Sequence, residues 1–406
     1  MKYIHLTKVL ALSASVGLLS ACGESIESER GRTFGLTASF TDAELIEHVV
    51  EQVIKPKHQK LQQDIVAQTQ ALHAYCGLVE QNQDANASKQ SLETAFKATM
   101  ASWQQIEMLQ MAPLAANTNE LRNNIYSWPS TATCGIDQDV AYFNAGSVNG
   151  SPYNLASRAN SRKGLDALEY LLFTENMSHS CVTEPSVLNG WNDLPQQTQL
   201  KQRCDFALAA NQEVQTNMQS LYDQWFTQSP SHAEKLKTQD TKETINEFAT
   251  ALFYLEFLKD NKLGLPLGYS SNICGNAACE ANLESRFSQL SLTNIADNLA
   301  AFRDLFTGET ATLAGDDPLA LSFDDYLAAV GDEQTAQTIL TALTSAEMIL
   351  GQIQTDFATA INNQGAEFEK IEALYAQVKV ITDQLKTHFI MSLSVDLPDS
   401  SAGDGD

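Results

Sequence analysis

Basic residues are scarce in this sequence: 25 Lys and Arg stand against 50 Asp and Glu, a formal net charge of −25. A surface this acidic repels phosphates, which excludes nucleic acid as a partner and leaves a solvated surface or an attraction for cations. Long hydrophobic runs are also missing. The apolar stretch Val9 to Leu19 is too short to cross a bilayer, and no later stretch is long and apolar enough. Sustained strand alternation is absent, which argues against a β protein. The chain has no His-Glu-x-x-His zinc motif, no Gly-x-Ser-x-Gly elbow and no phosphate loop. Cysteine is sparse, with seven residues and no Cys-x-x-Cys spacing.

What is present begins with an export signal. Lys2 and Lys8 precede the short apolar run, and Leu19-Ser20-Ala21-Cys22 follows it. This tetrad resembles the lipobox of bacterial lipoproteins, which implies cleavage after residue 21 and acylation of Cys22. Gly23 after the cysteine fits sorting to the outer membrane, so the membrane becomes a partner through the N-terminal lipid. Residues 22–40 read as a spacer. The other six cysteines, an even number in an exported chain, point to disulfides. The expected pairs are Cys274 with Cys279, Cys181 with Cys204, and Cys76 with Cys134, among fifteen possible connectivities. A zinc site from Cys181, Cys204, Cys274 and Cys279 is the alternative, disfavoured in an oxidising compartment.

The body of the chain reads as helix. Thr41-Asp42 caps a helix that Pro56 should kink and Gly77 should end. A second helix spans 89–111 and a long irregular segment 112–156, followed by helices near 165–173 and 197–228. The second half, 239–393, repeats the style. Asp316-Asp317-Pro318 opens a short helix, the cleanest helical period in the chain runs from Ala336 to Phe357, and a last helix runs from Ile371 to Phe389. The acidic tail 394–406 is expected to be disordered. Residues 41–230 and 239–393 thus form two helical halves. Asp166–Phe173 echoes Thr250–Phe257, as an internal duplication would, but the echo lacks the acidic pair.

That pair is the most informative feature. Asp166 and Glu169 lie three apart among Leu165, Leu168, Leu171 and Leu172, so a helix would stack both carboxylates on one largely buried face. Buried carboxylates must be paired or bound to a cation. Arg162, four residues before Asp166, has the helical spacing to pair with it, as an alternative Arg158 could. Asp137 and Asp139 could close a site from the side, or be solvated turn residues. His48, His58, His73, His179, His232 and His388 read as surface or capping groups.

In order and spacing, these landmarks resemble the imelysin family, historically classed as M75 peptidases. The resemblance extends from about residue 42 to 390 and includes Val53-Ile54-Lys55-Pro56, Cys76, Trp103 to Glu107 and Trp128-Pro129. It continues through Gly164 to Glu169, Leu263-Gly264-Leu265-Pro266-Leu267-Gly268, and Glu284 to Gly308. The family signature is Gly-x-His-x-x-Glu; here Asp166 stands where the histidine would be, after Gly164. The resemblance implies an all-α fold of two four-helix-bundle-like halves, in envelope proteins that are often iron-regulated. It places an acidic group, here Glu107, opposite the motif helix, although an exposed glutamate remains the alternative.

An all-oxygen set of Asp166, Glu169 and Glu107 would favour iron or another oxygen-preferring cation. The expectation is therefore a lipid-anchored envelope protein binding a cation or small ligand between helices, in metal uptake or handling. A metallopeptidase and a non-catalytic partner of other envelope proteins with a degenerate site are the alternatives.

Overall fold

The computed structural model describes residues 39–310 and 320–398. The export signal, Cys22, the helix start expected at Asp316-Asp317-Pro318 and residues 399–406 lie outside them.

Helix α1 (Asp42–His48) starts at a capping box in which Thr41 and Glu44 satisfy each other's backbone amides. It continues through a π-helical stretch, Val49–Ile54, into α2 (Lys55–Glu80). The N–H of Lys55 donates to the Val50 carbonyl, five residues back, just before Pro56. Pro56 therefore causes a local change of helical pitch rather than a break, and Gly77 lies inside the helix. The buried stripe of α2 runs through Leu61, Ile65, Gln68, Leu72 and Cys76, the spacing of one helix face. That stripe packs on α3 (Asn86–Glu107) and on the later α7 (Gln196–Tyr222).

Residues 112–156 are more regular than expected, with α4 (Ala116–Ile125), kinked by left-handed backbone at Asn117, Thr118 and Asn119, then α5 (Thr133–Ala145) and a two-residue-per-strand ribbon at Ser147–Val148 and Ser151–Pro152. Thr133–Ala145 carries few large apolar residues, so its helical period is weak in sequence. The motif helix α6 (Leu165–Phe173) follows, buried from Leu165 through Leu172.

The second half supplies α8 (His232–Thr238), α9 (Thr241–Leu252), α10 (Ser291–Thr307), α11 (Phe323–Ala329), α12 (Glu333–Gln352), α13 (Phe357–Asn363) and α14 (Ala366–Gln384). The period from Ala336 to Phe357 is broken after Gln352, where Asp356 caps the new helix α13 by accepting from the Thr359 amide. Among the described tail residues, Val395 is buried and the Asp396 amide donates to Asn246 Oδ1, so the chain is held at least that far. Helices α12 and α14 pack together, and α10 packs on α3, joining the two parts of the chain through one continuous core. The protein is all-α. No described helix is long and apolar enough to cross a membrane.

The disulfides join Cys76 to Cys204, Cys134 to Cys181, and Cys274 to Cys279. Only the last matches the expected set. Cys76 faces α7 along the α2 stripe, which brings it to Cys204, while the chain after α6 returns across α5 and brings Cys181 to Cys134. The pairs Cys76–Cys134 and Cys181–Cys204 are thereby replaced, and no thiolate remains among these six for zinc. His58 is also corrected. It is buried against Trp225 and Phe226, and burial pushes its pKa down to about 3.

Candidate functional site

The motif helix is entered through Gly164, whose φ of +91° lies in the region glycine tolerates. A Cβ there would sit 2.9 Å from the Ile125 carbonyl oxygen and 3.0 Å from Asp166 Oδ1. This close approach brings Asp166 under the loop after α4. Its carboxylate accepts from the Ser127 amide (3.3 Å), Ser127 Oγ (2.9 Å) and Thr131 Oγ1 (2.9 Å), gripping both ends of the loop that carries Trp128-Pro129. One helical turn on, Glu169 grips a loop from the second half. Its Oε1 accepts from the Phe287 amide (3.0 Å), the Ser288 amide (2.8 Å) and Ser288 Oγ (2.9 Å). Burial pushes both carboxyls up against the opposing effect of these hydrogen bonds, and Glu169 reaches about 7.

Arg162 does not pair with Asp166. Residues Asn160–Arg162 form a separate turn before Gly164, so the four-residue spacing is not helical. The guanidinium lies instead over Gly135, with Nη1 3.9 Å from Asp139 Oδ2. Arg158 also goes to Asp139, with Nε donating at 2.8 Å. Asp137 and Asp139 are fully buried on α5 rather than solvated in a turn. Asp137 accepts from Tyr170 Oη, the Ser180 amide and Ser180 Oγ.

Glu107 is buried, as the ligand reading required, but it faces cations. Arg122 Nη2 donates to Oε1 at 2.5 Å and Lys262 Nζ to Oε2 at 2.8 Å. Burial raises the pKa of this carboxyl, but the two positive charges outweigh it and hold the group below its ordinary value. Lys262 also donates to Gln104 Oε1 and Asn298 Oδ1, and lies 3.0 Å from Glu284 Oε1. Glu284 in turn accepts from Tyr126 Oη and Gln104 Nε2. Two acids and two bases therefore balance in a buried network that draws on both halves of the chain. Lys262, Arg122 and Glu284 escaped the sequence reading as its members. The available signal was Lys262 lying within the apolar pattern of Leu255, Leu258 and Leu263.

The three carboxylates do not assemble a resident metal centre. Asp166 is occupied by hydroxyl and amide donors, Glu107 by two cations, and no three His, Cys, Asp or Glu side chains group as a metal site among the described residues. What adjoins them is space. Glu169 lines a cavity of about 70 Å³ with Thr131, Ser285 and Arg286. Pro129 forms a wall of that cavity and also of a cleft of about 610 Å³ lined by Arg122, Tyr254 and Glu256.

An all-helical body with a buried acidic motif helix bridging loops from both halves defines the class. The chain belongs to the imelysin family, peptidase M75, whose sequence profile matches residues 54–385. It is similar to the crystal structure of an imelysin-like protein from Psychrobacter arcticum 273-4, with 19% identity and a TM-score of 0.59, covering 89% of this chain and 99% of that one. It is also similar to a structure from Parabacteroides distasonis ATCC 8503 that carries the working name of an iron-regulated protein A precursor. There the identity is 16% and the TM-score 0.62, with coverage of 87% of this chain and 94% of that one. No curated protein gives a match.

Proposed function

We propose that this protein is a lipid-anchored envelope component that binds a small ligand between its helices, where the two halves meet. The observation that carries this reading is the 610 Å³ cleft, a volume suited to a small organic molecule, with Arg122 held rigidly in its wall by Glu107. The anchor follows from Leu19-Ser20-Ala21-Cys22, with acylated Cys22 holding the protein in the outer membrane.

Metal handling enters through the name of the Parabacteroides neighbour and through Glu169. All three of its hydrogen bonds fall on Oε1. A single carboxylate supplies too few ligands for a resident ion, so the cation of this reading is cargo that brings other ligands with it. The family's peptidase classification supports hydrolysis as a further reading, one that needs a metal-activated water and a general base.

Tag-free protein purified from its native envelope tests the proposal by metal analysis and mass spectrometry of co-purifying small molecules. Titration with free cations and their chelates then compares the natural protein with the Asp166→Asn, Glu169→Gln double variant. Loss of cation binding in the variant is expected, and unchanged affinity sinks the cation assignment. Turnover of peptides with added divalent ions would replace it with the hydrolase reading.

A further inference from the structure

Part of the lining of the 610 Å³ cleft is built from backbone in an unusual conformation. Asn117, Thr118 and Asn119 have φ of 52°, 60° and 60° with ψ of 46°, 43° and 32°, three consecutive residues in the left-handed helical region. L-residues visit that region singly, because the Cβ crowds the following carbonyl oxygen, and a β-branched threonine is poorly suited to it. None of the three is glycine. Strain of this kind persists where the surroundings fix it. Here they fix only the ends. On one side Leu114 is buried, and on the other Arg122 donates to the Trp128 carbonyl and to Glu107. Between them residues 115–120 are exposed, and Ala115 provides no side-chain cap. The side chains of Asn117, Thr118 and Asn119 make no hydrogen bond with a described residue.

A strained span between two fixed ends has an alternative close in energy. Right-handed backbone at these three residues would join Ala116 to the rest of α4 in one regular helix and relieve the crowding. Reversing the hand of a turn also displaces what the turn carries. Ala115 and Asn119 line the cleft, whereas Thr250, Phe253, Phe257 and Asn261 line it from the second half of the chain. We propose that residues 115–119 form a strap that changes hand, leaving the cleft open in the left-handed form and closing its mouth in the right-handed one. The strain of the open form then favours closure, and a ligand enclosed by the closed form draws on it. The purpose of the strap rests on the cleft being the ligand site; its change of hand rests on the backbone alone.

Two measurements on the full lipid-anchored chain in detergent decide this, and neither needs a ligand. Thr118→Gly removes the crowding and favours the left-handed form, whereas the Asn117→Ala, Asn119→Ala double variant favours the right-handed one. Nitroxide labels on Ala116→Cys and Lys242→Cys, both exposed positions, report the place of the strap by pulsed electron spin resonance. Two distances are expected, and the glycine and alanine variants should shift their ratio in opposite directions by about fivefold or more. Asn261→Cys, half-buried in the cleft wall, reports the mouth through its rate of maleimide modification. That rate should fall roughly threefold or more in the alanine variant, following the open fraction, and should not fall in the glycine variant.

A single distance that neither variant moves overturns the change of hand. A shift in distance with an unchanged or faster maleimide reaction in the alanine variant overturns closure. Both expected results establish the strap. If protein from the native envelope then carries no small molecule and none binds on titration, the ligand reading of the cleft fails while the strap stands.

Discussion

At the scale of single residues, Glu169 links the motif to pH. Its pKa in the folded protein is pushed up to about 7 from an ordinary value of 4.5, because a buried carboxylate loses its hydration. A raised acid pKa means that the folded state holds the proton more tightly than the unfolded chain. The stability this group contributes is therefore complete below about pH 4.5 and is lost as pH rises through about 7. The shift is worth on the order of 3 kcal/mol. Glu169→Gln keeps an Oε1 acceptor for Phe287 and Ser288 and has no proton to lose. Urea denaturation at about pH 5 and about pH 8 should show the natural protein losing stability over that interval and the variant losing much less. Parallel loss in both proteins would mean that Glu169 is not the titrating group. Burial pushes the Asp166 carboxyl in the same direction.

At the scale of elements, long cross-links fix how helices face one another. Cys76–Cys204 ties α2 to α7 across a separation of 128 residues, whereas Cys274–Cys279 closes a loop with a separation of 5. Loop-closure entropy makes the longer cross-link worth more, about 5 kcal/mol against about 2 kcal/mol in the chain-entropy account. Replacing Cys76 and Cys204 by Ser should therefore lower the denaturation midpoint well beyond the effect of replacing Cys274 and Cys279. Non-reducing peptide mapping should recover the peptide of Cys76 joined to that of Cys204. Recovery of Cys76 with Cys134 would contradict the helix arrangement itself. The same scale explains why the acidic pair is rigid: each carboxylate holds a loop rather than a neighbour on its own helix.

At the scale of the whole molecule, the Glu107 network joins the halves. Its acids and bases come from α3, from α4, and from the 258–284 region of the second half, and all are at least nine-tenths buried. Removing one partner of such a network strands the others, at a cost of about 3–5 kcal/mol. Glu107→Gln should therefore lower stability by that amount while far-UV circular dichroism and tryptophan fluorescence still report one shared transition. Two separated transitions in the variant would show that the halves unfold independently and that the network does not couple them. The net charge of −25 acts at this scale too, through self-repulsion and solubility rather than through fold.

The sequence by itself determined the helical class, the main helix stripes, the burial of Asp166 and Glu169, and the family's order of landmarks. These are properties of local period and composition, and local period survives packing. Which groups meet was decided only by tertiary structure. The positive φ of Gly164 swings Arg162 away from Asp166, Glu107 finds Arg122 and Lys262, and Cys76 faces Cys204 across two helices. Asp137 and Asp139 read as turn residues because α5 has a weak apolar period, yet partners distant in sequence bury both. A carboxylate's neighbours depend on where the chain returns, and that return is set by packing between segments from 15 to 155 residues apart.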